Sequence, residues 1–287
     1  MINSIEELIS KVKDDYANSG TKTLPWFRGE PNNTPTPLLP NLYRPKEDGS
    51  SHNENQLLQQ FRMKAPSLGL MNTPPHTQTD QWLFLAQHVR LPTRLLDWTE
   101  GLFIALHFAL RENEPVVWML DPIGLNRLSC PDNELADNSF PLTWYSEETS
   151  PIFKDDLFAL KKFMDIGEEE FKKAHPDHYF VKPIKRNIGH MNIQGAWEFD
   201  AVGTDLPVAI HPTYVHIRMS MQKSCFTIQG KVRRSLNCLV ESSILRKYVI
   251  NKDSVLKMRD DLRVFGITNT SVFPDLDNLS RDLSEMF

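Results

Sequence analysis

The stretch "LAQHVRLPTRLLDWTEGLFIALHFAL", Leu85 to Leu110, most limits how this chain can fold. Pro92 disfavours helical geometry at Leu91, so a helix arriving from the N-terminal side must stop there. "TRLLDWT" then reads as an extended segment. Strand alternation puts Arg94, Leu96 and Trp98 on one face and Leu95, Asp97 and Thr99 on the other. Leu102 to Leu110 has the apolar content of a buried helix, and Glu100-Gly101 sits near its start. Asp97 or Thr99 can cap that helix by meeting its free N–H groups and complementing its dipole. Capping does not account for the nearby arginines, Arg90 and Arg94, or for His88.

The remaining chain supplies further elements. Residues 4–17 form an amphipathic helix, with Ser4 as N-cap and Glu7 completing a capping box. "TLPWFRGE" suits a strand running into a turn, and the proline-rich "PNNTPTPLLPNLYRP" after it is an irregular connection. "NENQLLQQFRMKAP" predicts a helix closed by Pro66, and a second covers Asp80 to His88. "PVVWMLDP" is a buried strand; "YFVKPI", "TYVHIRMSM", "CFTIQG" and "SVFPDL" are further strand candidates. "SVLKMRDDLRVFGI" predicts a late helix stopped at Gly266. Helices and strands alternate irregularly, which favours an α+β class. The expectation is one domain over residues 1–287, with a mixed, mostly antiparallel sheet and flanking helices.

Composition narrows the function classes. A net charge of -5 over 287 residues does not advertise a nucleic-acid protein, although a local basic patch is compatible with it. Cys130, Cys225 and Cys238 are far apart and odd in number, which argues against a disulfide framework and for a reducing, cytosolic compartment. The N-terminus does not read as a signal peptide, and no run reaches the ~18 apolar residues of a membrane span. The P-loop, dinucleotide, zinc-protease and nucleophile-elbow fingerprints are all missing.

Four polar clusters remain. In "WFRGE", Arg28 ends an apolar strand, and Gly29 lets backbone approach a ligand. A guanidinium there suits a bidentate phosphate or carboxylate contact, and an Arg28–Glu30 structural pair is the competing reading. The second cluster is the opening stretch. In "YVHIRMSMQKSCFTIQG", alternation puts His216, Arg218, Ser220 and Gln222 on one face of an extended segment, either lining a cleft or facing solvent at a sheet edge. The fourth, "RNIGHMNIQGAWEFDAVG", offers Asn192, Gln194 and Glu198.

These residues together resemble the FRG domain family, named for a Phe-Arg-Gly motif that stands here as Phe27-Arg28-Gly29. Its long signature stands as "AQHVRLPTRLLDWT" followed by "ALHFAL". Its late elements are matched by Arg218, Gln222, Phe226 and Thr227, and by "GITNTSVFPDLD". Two departures are Val89-Arg90, where the family commonly has an aromatic-glycine pair, and Ser224, where a glycine is frequent. Arg90 then adds a ligand contact that typical members lack. The resemblance makes residues 125–180 a family-variable insertion after an N-terminal helix within 1–20.

Members of the family look like toxins or effectors of bacterial defence against phage. The motif order also resembles, distantly, the ADP-ribosyltransferase fold. That resemblance implies NAD as substrate, with no metal. It implies Arg28 as the first-strand residue, Thr99 with Asp97 as the second, and Gln222 as the third, with Glu30, Glu198 or Glu241 as candidates if a glutamate fills that role. Arg28, Gly29, His88, Arg94, Trp98 and Arg218 would bind the dinucleotide, and Trp98, Trp26 or Phe27 would stack on nicotinamide. The acceptor would be a macromolecule, with RNA or DNA favoured over protein. An antitoxin or chaperone partner would be expected, and no membrane. The alternatives are a non-catalytic nucleotide-binding module and a metal-dependent nuclease using Asp97, Glu30 and Glu198.

Overall fold

The computed structural model describes residues 1–21, 23–68, 73–76, 78–111, 114–130, 142–143, 170, 173, 193, 195–197, 203–212, 214 and 216–287. Seven strands form one sheet: β1 (Trp26–Pro31), β2 (Leu95–Thr99), β3 (Pro115–Leu120), β4 (Leu142–Thr143), β5 (Val208–His211), β6 (Ser224–Ile228) and β7 (Leu245–Val249). Their order is β4-β5-β6-β2-β1-β3-β7. The short β4–β5 pair is parallel and the other pairs are antiparallel. This is the α+β class with the mixed, mostly antiparallel sheet that the sequence leads one to expect.

Helices cover one face in two groups. Here α1 (Ile5–Asn18), α4 (Leu102–Ala109) and α7 (Val255–Val264) pack on β1, β3 and β7 through Leu8, Phe27, Leu106, Met119 and Met258. Beside them, α2 (Glu54–Lys64) and α3 (Thr79–His88) pack on β2, β5 and β6 through Leu58, Phe84, Leu95, Val208 and Phe226. The opposite face buries Trp26, Leu96, Trp98 and Trp118 against Leu38 and against Leu125 of α5 (Pro122–Ser129). All six residues of β3 are buried, as expected of a strand covered on both faces.

Two features of the central strands create the site. First, β1 and β2 are in register at one pair, Phe27↔Thr99, whereas β1 follows β3 from Trp26↔Leu120 to Pro31↔Pro115 and β2 follows β6 along its whole length. The sheet therefore divides between β1 and β2 past that pair. Second, α4 lies directly on β1. A Cβ on Gly29 would fall 2.0 Å from the Ala105 carbonyl oxygen and 2.5 Å from the Ala109 nitrogen. Gly29 is thus required by the packing of α4 on β1.

Several local expectations change. Residues Ile217–Met221 form a short helix, α6, not a strand. His216 is its N-cap, accepting from the Arg218 N–H, so the alternation of His216, Arg218, Ser220 and Gln222 on one strand face does not exist. "SVFPDL" begins inside helix α8 (Asn269–Val272), capped by Thr268, and leads into α9 (Leu276–Met286), capped by Asp275. Gly101, not Asp97 or Thr99, is the N-cap of α4, and the Thr99 hydroxyl accepts its N–H. "YFVKPI" lies outside the described residues. Gly266, at φ +75°, does end α7. Among the described residues no helix is long and apolar enough to cross a membrane.

Candidate functional site

Arg28 and Asp97 meet at the gap between β1 and β2. Arg28 Nη1 donates to the main-chain oxygen of Asp97 at 2.8 Å and stands 3.9 Å from its carboxylate. The guanidinium satisfies a carbonyl that β1 would serve in an unbroken ladder. Its Nε donates to Glu30 at 3.2 Å, and the other Glu30 oxygen accepts from Trp118 Nε1 at 2.9 Å. The Arg28–Glu30 structural pair is therefore real, and it fixes a guanidinium whose far end reaches Asp97. Glu30 is 5% exposed, with its two oxygens engaged by Arg28 and Trp118.

Asp97 is held from its other side. Gln87 Nε2 donates to Oδ2 at 2.8 Å; Gln87 Oε1 accepts from the Thr93 hydroxyl at 2.6 Å; that hydroxyl accepts the Leu95 N–H at 3.1 Å. The "AQH…PTR" part of the signature thus builds a relay that orients one carboxylate. Asp97 leaves 59% of its side chain open to solvent. Surrounding protein nevertheless raises its pKa by desolvation, against the opposing pull of Arg28 and the Gln87 hydrogen bond. Asp97 thus has protein packed around it while its carboxylate stays open to solvent.

A second group of charges lies near Asp97. Arg90, Asp275, Asp97 and Arg111 are close enough to Arg218 to act on its charge, and burial depresses the Arg218 pKa. The Arg218 guanidinium sits 4.3 Å over the Phe273 ring, and its Nε is buried without a hydrogen-bond partner. Neither Arg90 nor Arg218 has a carboxylate within 4.0 Å among the described residues. His88 and His216 bring their rings to 4.2 Å, and burial, then His216 and Arg218, lower the His88 pKa to about 4, so His88 is neutral at pH 7.

Arg90 has an unusual backbone. It occupies φ +67°, a conformation that favours glycine. Its N–H bonds the Gln87 carbonyl and the Leu91 N–H bonds the Ala86 carbonyl, the paired closure that ends a helix at a left-handed residue. An arginine thus stands where glycine would cost less, near Arg218, which has no ion pair among the described residues.

Other expected site residues lie elsewhere. Arg94 is buried, with its Nε 2.8 Å from Glu54 and Nη2 donating to the Gly195 carbonyl at 2.8 Å. It ties β2 to α2 and does not face the cleft. Trp98 is 3% exposed and donates to Thr227 at 3.1 Å; Trp26 and Phe27 are equally buried, so none offers a stacking face. The Thr99 hydroxyl donates to the Gln222 main-chain oxygen at 2.7 Å, and the Gln222 amide donates to the Val272 carbonyl at 3.1 Å. Thr99 and Gln222 are thus adjacent to each other but occupied, binding β2 to α6 and α6 to the Phe273 segment. Glu241 is exposed in the turn before β7, and Glu198 lies outside the described residues. Gln87, Arg111, Phe273 and the Glu54 partner of Arg94 were not foreseen. Gln87 and Phe273 stand inside the signature stretches "AQHVRLPTRLLDWT" and "GITNTSVFPDLD", which give no role to either.

Among the described residues, no group of three or more His, Cys, Asp or Glu comes together that could hold a metal ion. The arrangement suits anion binding, with one accessible carboxylate amid guanidinium groups. No curated protein and no solved structure matched the chain. Residues 24–116, which include Arg28, Gln87, Arg90 and Asp97, match the family model of the FRG domain.

Proposed function

We propose that the Asp97 cleft breaks the nicotinamide–ribose bond of NAD and passes the ADP-ribosyl group to a macromolecular acceptor. The observation that carries this reading is the solvent-open Asp97 carboxylate, oriented by Gln87 and set beside Arg28 where the sheet divides. Bond cleavage sends the electron pair out with nicotinamide and leaves oxocarbenium character on the ribose. A fixed carboxylate stabilises that charge and can take the proton of the attacking acceptor. Arg28, Arg90 and Arg218 supply the positive charge that a dinucleotide pyrophosphate needs. The three motif elements that the ADP-ribosyltransferase resemblance requires also sit close together, since Thr99 pairs with Phe27 and bonds Gln222.

The role assignment shifts within this reading. Thr99 and Gln222 become positioning residues, and Asp97 becomes the catalytic group. A toxin or phage-defence setting, an antitoxin or chaperone that restrains the activity, and an RNA or DNA acceptor remain part of the proposal on family grounds. One observation favours a second reading, a nucleotide-binding module without turnover: the Thr99 hydroxyl and the Gln222 amide nitrogen are already engaged in the fold. Incubation with NAD labelled in both halves separates the two. Release of nicotinamide with label transferred to RNA, DNA or protein supports the enzyme; saturable binding with intact NAD recovered supports the module.

A further inference from the structure

A separate cavity lies at the end of α4, between α7 and α9. It encloses about 250 Å³ and is lined by His107, Arg111, Arg259, Arg263, Arg281 and Glu285, among others. Four guanidinium groups around one space cost electrostatic energy unless an anion joins them. Only one of the four has a carboxylate partner among the described residues. Arg263 pairs with Glu285 and stands 3.7 Å from Asp260. Arg259 Nε donates to the Leu110 carbonyl at 3.0 Å, a neutral group, and Arg111 rests 5.1 Å from the Phe273 ring. Arg281 is exposed and has no ion pair among the described residues.

His107 adds an independent sign. Its ring lines this cavity, and its Nε2 is buried with no hydrogen-bond partner. An unpartnered buried ring nitrogen is costly without a ligand or water to meet it. Burial, then Arg111, lower the His107 pKa to about 4, opposed by Asp282, so the ring is neutral at pH 7. Asp282 itself is committed elsewhere, accepting from Asn269 and Thr270.

We propose that this cavity is a second anion site, distinct from the Asp97 cleft, for a small diphosphate-bearing ligand. Its volume falls below the ~300–1,000 Å³ usual for whole drug-sized or cofactor ligands, which fits a compact polyanion rather than a dinucleotide. The charge balance of the wall, four arginines against Glu285, calls for more than one negative charge. The site borders the Asp97 region through Phe273, whose ring has the Arg218 guanidinium at 4.3 Å and the Arg111 guanidinium at 5.1 Å.

Inorganic pyrophosphate is the probe, and the His107 ring nitrogens are the reporter. Titration at pH 7 should shift the His107 signals saturably. Arg281→Ala, a change at an exposed side chain, should weaken that binding at least tenfold. Arg218→Ala, which alters the cleft, should leave it within twofold. Absence of a saturable His107 shift would overturn the proposal. So would unchanged affinity in Arg281→Ala, or binding lost in Arg218→Ala and kept in Arg281→Ala, which would assign the anion to the cleft.

Discussion

Arg28 donates to the Asp97 main-chain oxygen at 2.8 Å, across the line where β1 and β2 cease to pair. By strand register Arg28 belongs with Trp26, Glu30 and Trp118 on one face, while Asp97 belongs with Leu95 and Phe226 on the helical face. The two side chains meet because the sheet opens there. An FRG arginine at the edge of a divided sheet thus holds the main chain that presents the catalytic candidate.

Gly29 is required by packing. Gly29→Ala should cost about 1–3 kcal/mol, since the new methyl meets backbone atoms of α4 that cannot turn aside. Denaturant unfolding measures this. Unchanged stability would mean that α4 is free to lift from β1.

Arg90 trades backbone comfort for charge. Arg90→Gly should stabilise the fold by roughly 1 kcal/mol by relieving a left-handed side chain. The same change should weaken NAD binding at least threefold. Paired thermal melts and calorimetry check both signs, and a variant that is more stable with full affinity would remove Arg90 from the site.

The Glu54–Arg94 pair is buried on both sides. Removing Arg94 alone should cost about 3–5 kcal/mol by stranding the Glu54 carboxylate, whose pKa burial already raises. Glu54→Leu combined with Arg94→Met should recover most of that loss. A double-mutant cycle with no coupling would contradict the buried pair.

His107 should make the fold acid-sensitive. Its folded pKa of about 4 lies below the ordinary 6.5, so the unfolded chain takes up the proton first. Its contribution is therefore fully present above pH ~6.5 and lost as pH falls towards 4. His88 acts in the same direction. Asp97 and Glu54, with raised pKa values, act oppositely as they protonate. The clean test compares variants: His107→Gln should lose less stability than the parent between pH 7 and pH 5 in urea melts.

The central signature was legible because a proline and strict alternation leave few choices. The helix does stop before Pro92, although it already closes at His88 through the left-handed Arg90, and Leu95, Asp97 and Thr99 do share a face. The "VHIRMSM" segment was misread because Val and Ile favour strands, whereas His216 supplies a side-chain cap that lets five residues turn helical. β5 and β7 were missed because "VAIH" and "LRKYV" are short, and their strand form depends on pairing with β6 and β3. Arg94 looked like a ligand residue because its partner, Glu54, lies 40 residues away in sequence. The Arg28–Asp97 meeting depends on where two distant strands part, which no local pattern records.

Nicotinamide release from NAD by the purified chain, compared between the parent and Asp97→Asn, tests the central claim most directly. The account predicts release by the parent and a loss of about 10²–10³-fold in the variant, with the fold retained by circular dichroism and thermal melt. No release by the parent, or equal release by a folded Asp97→Asn, would contradict it.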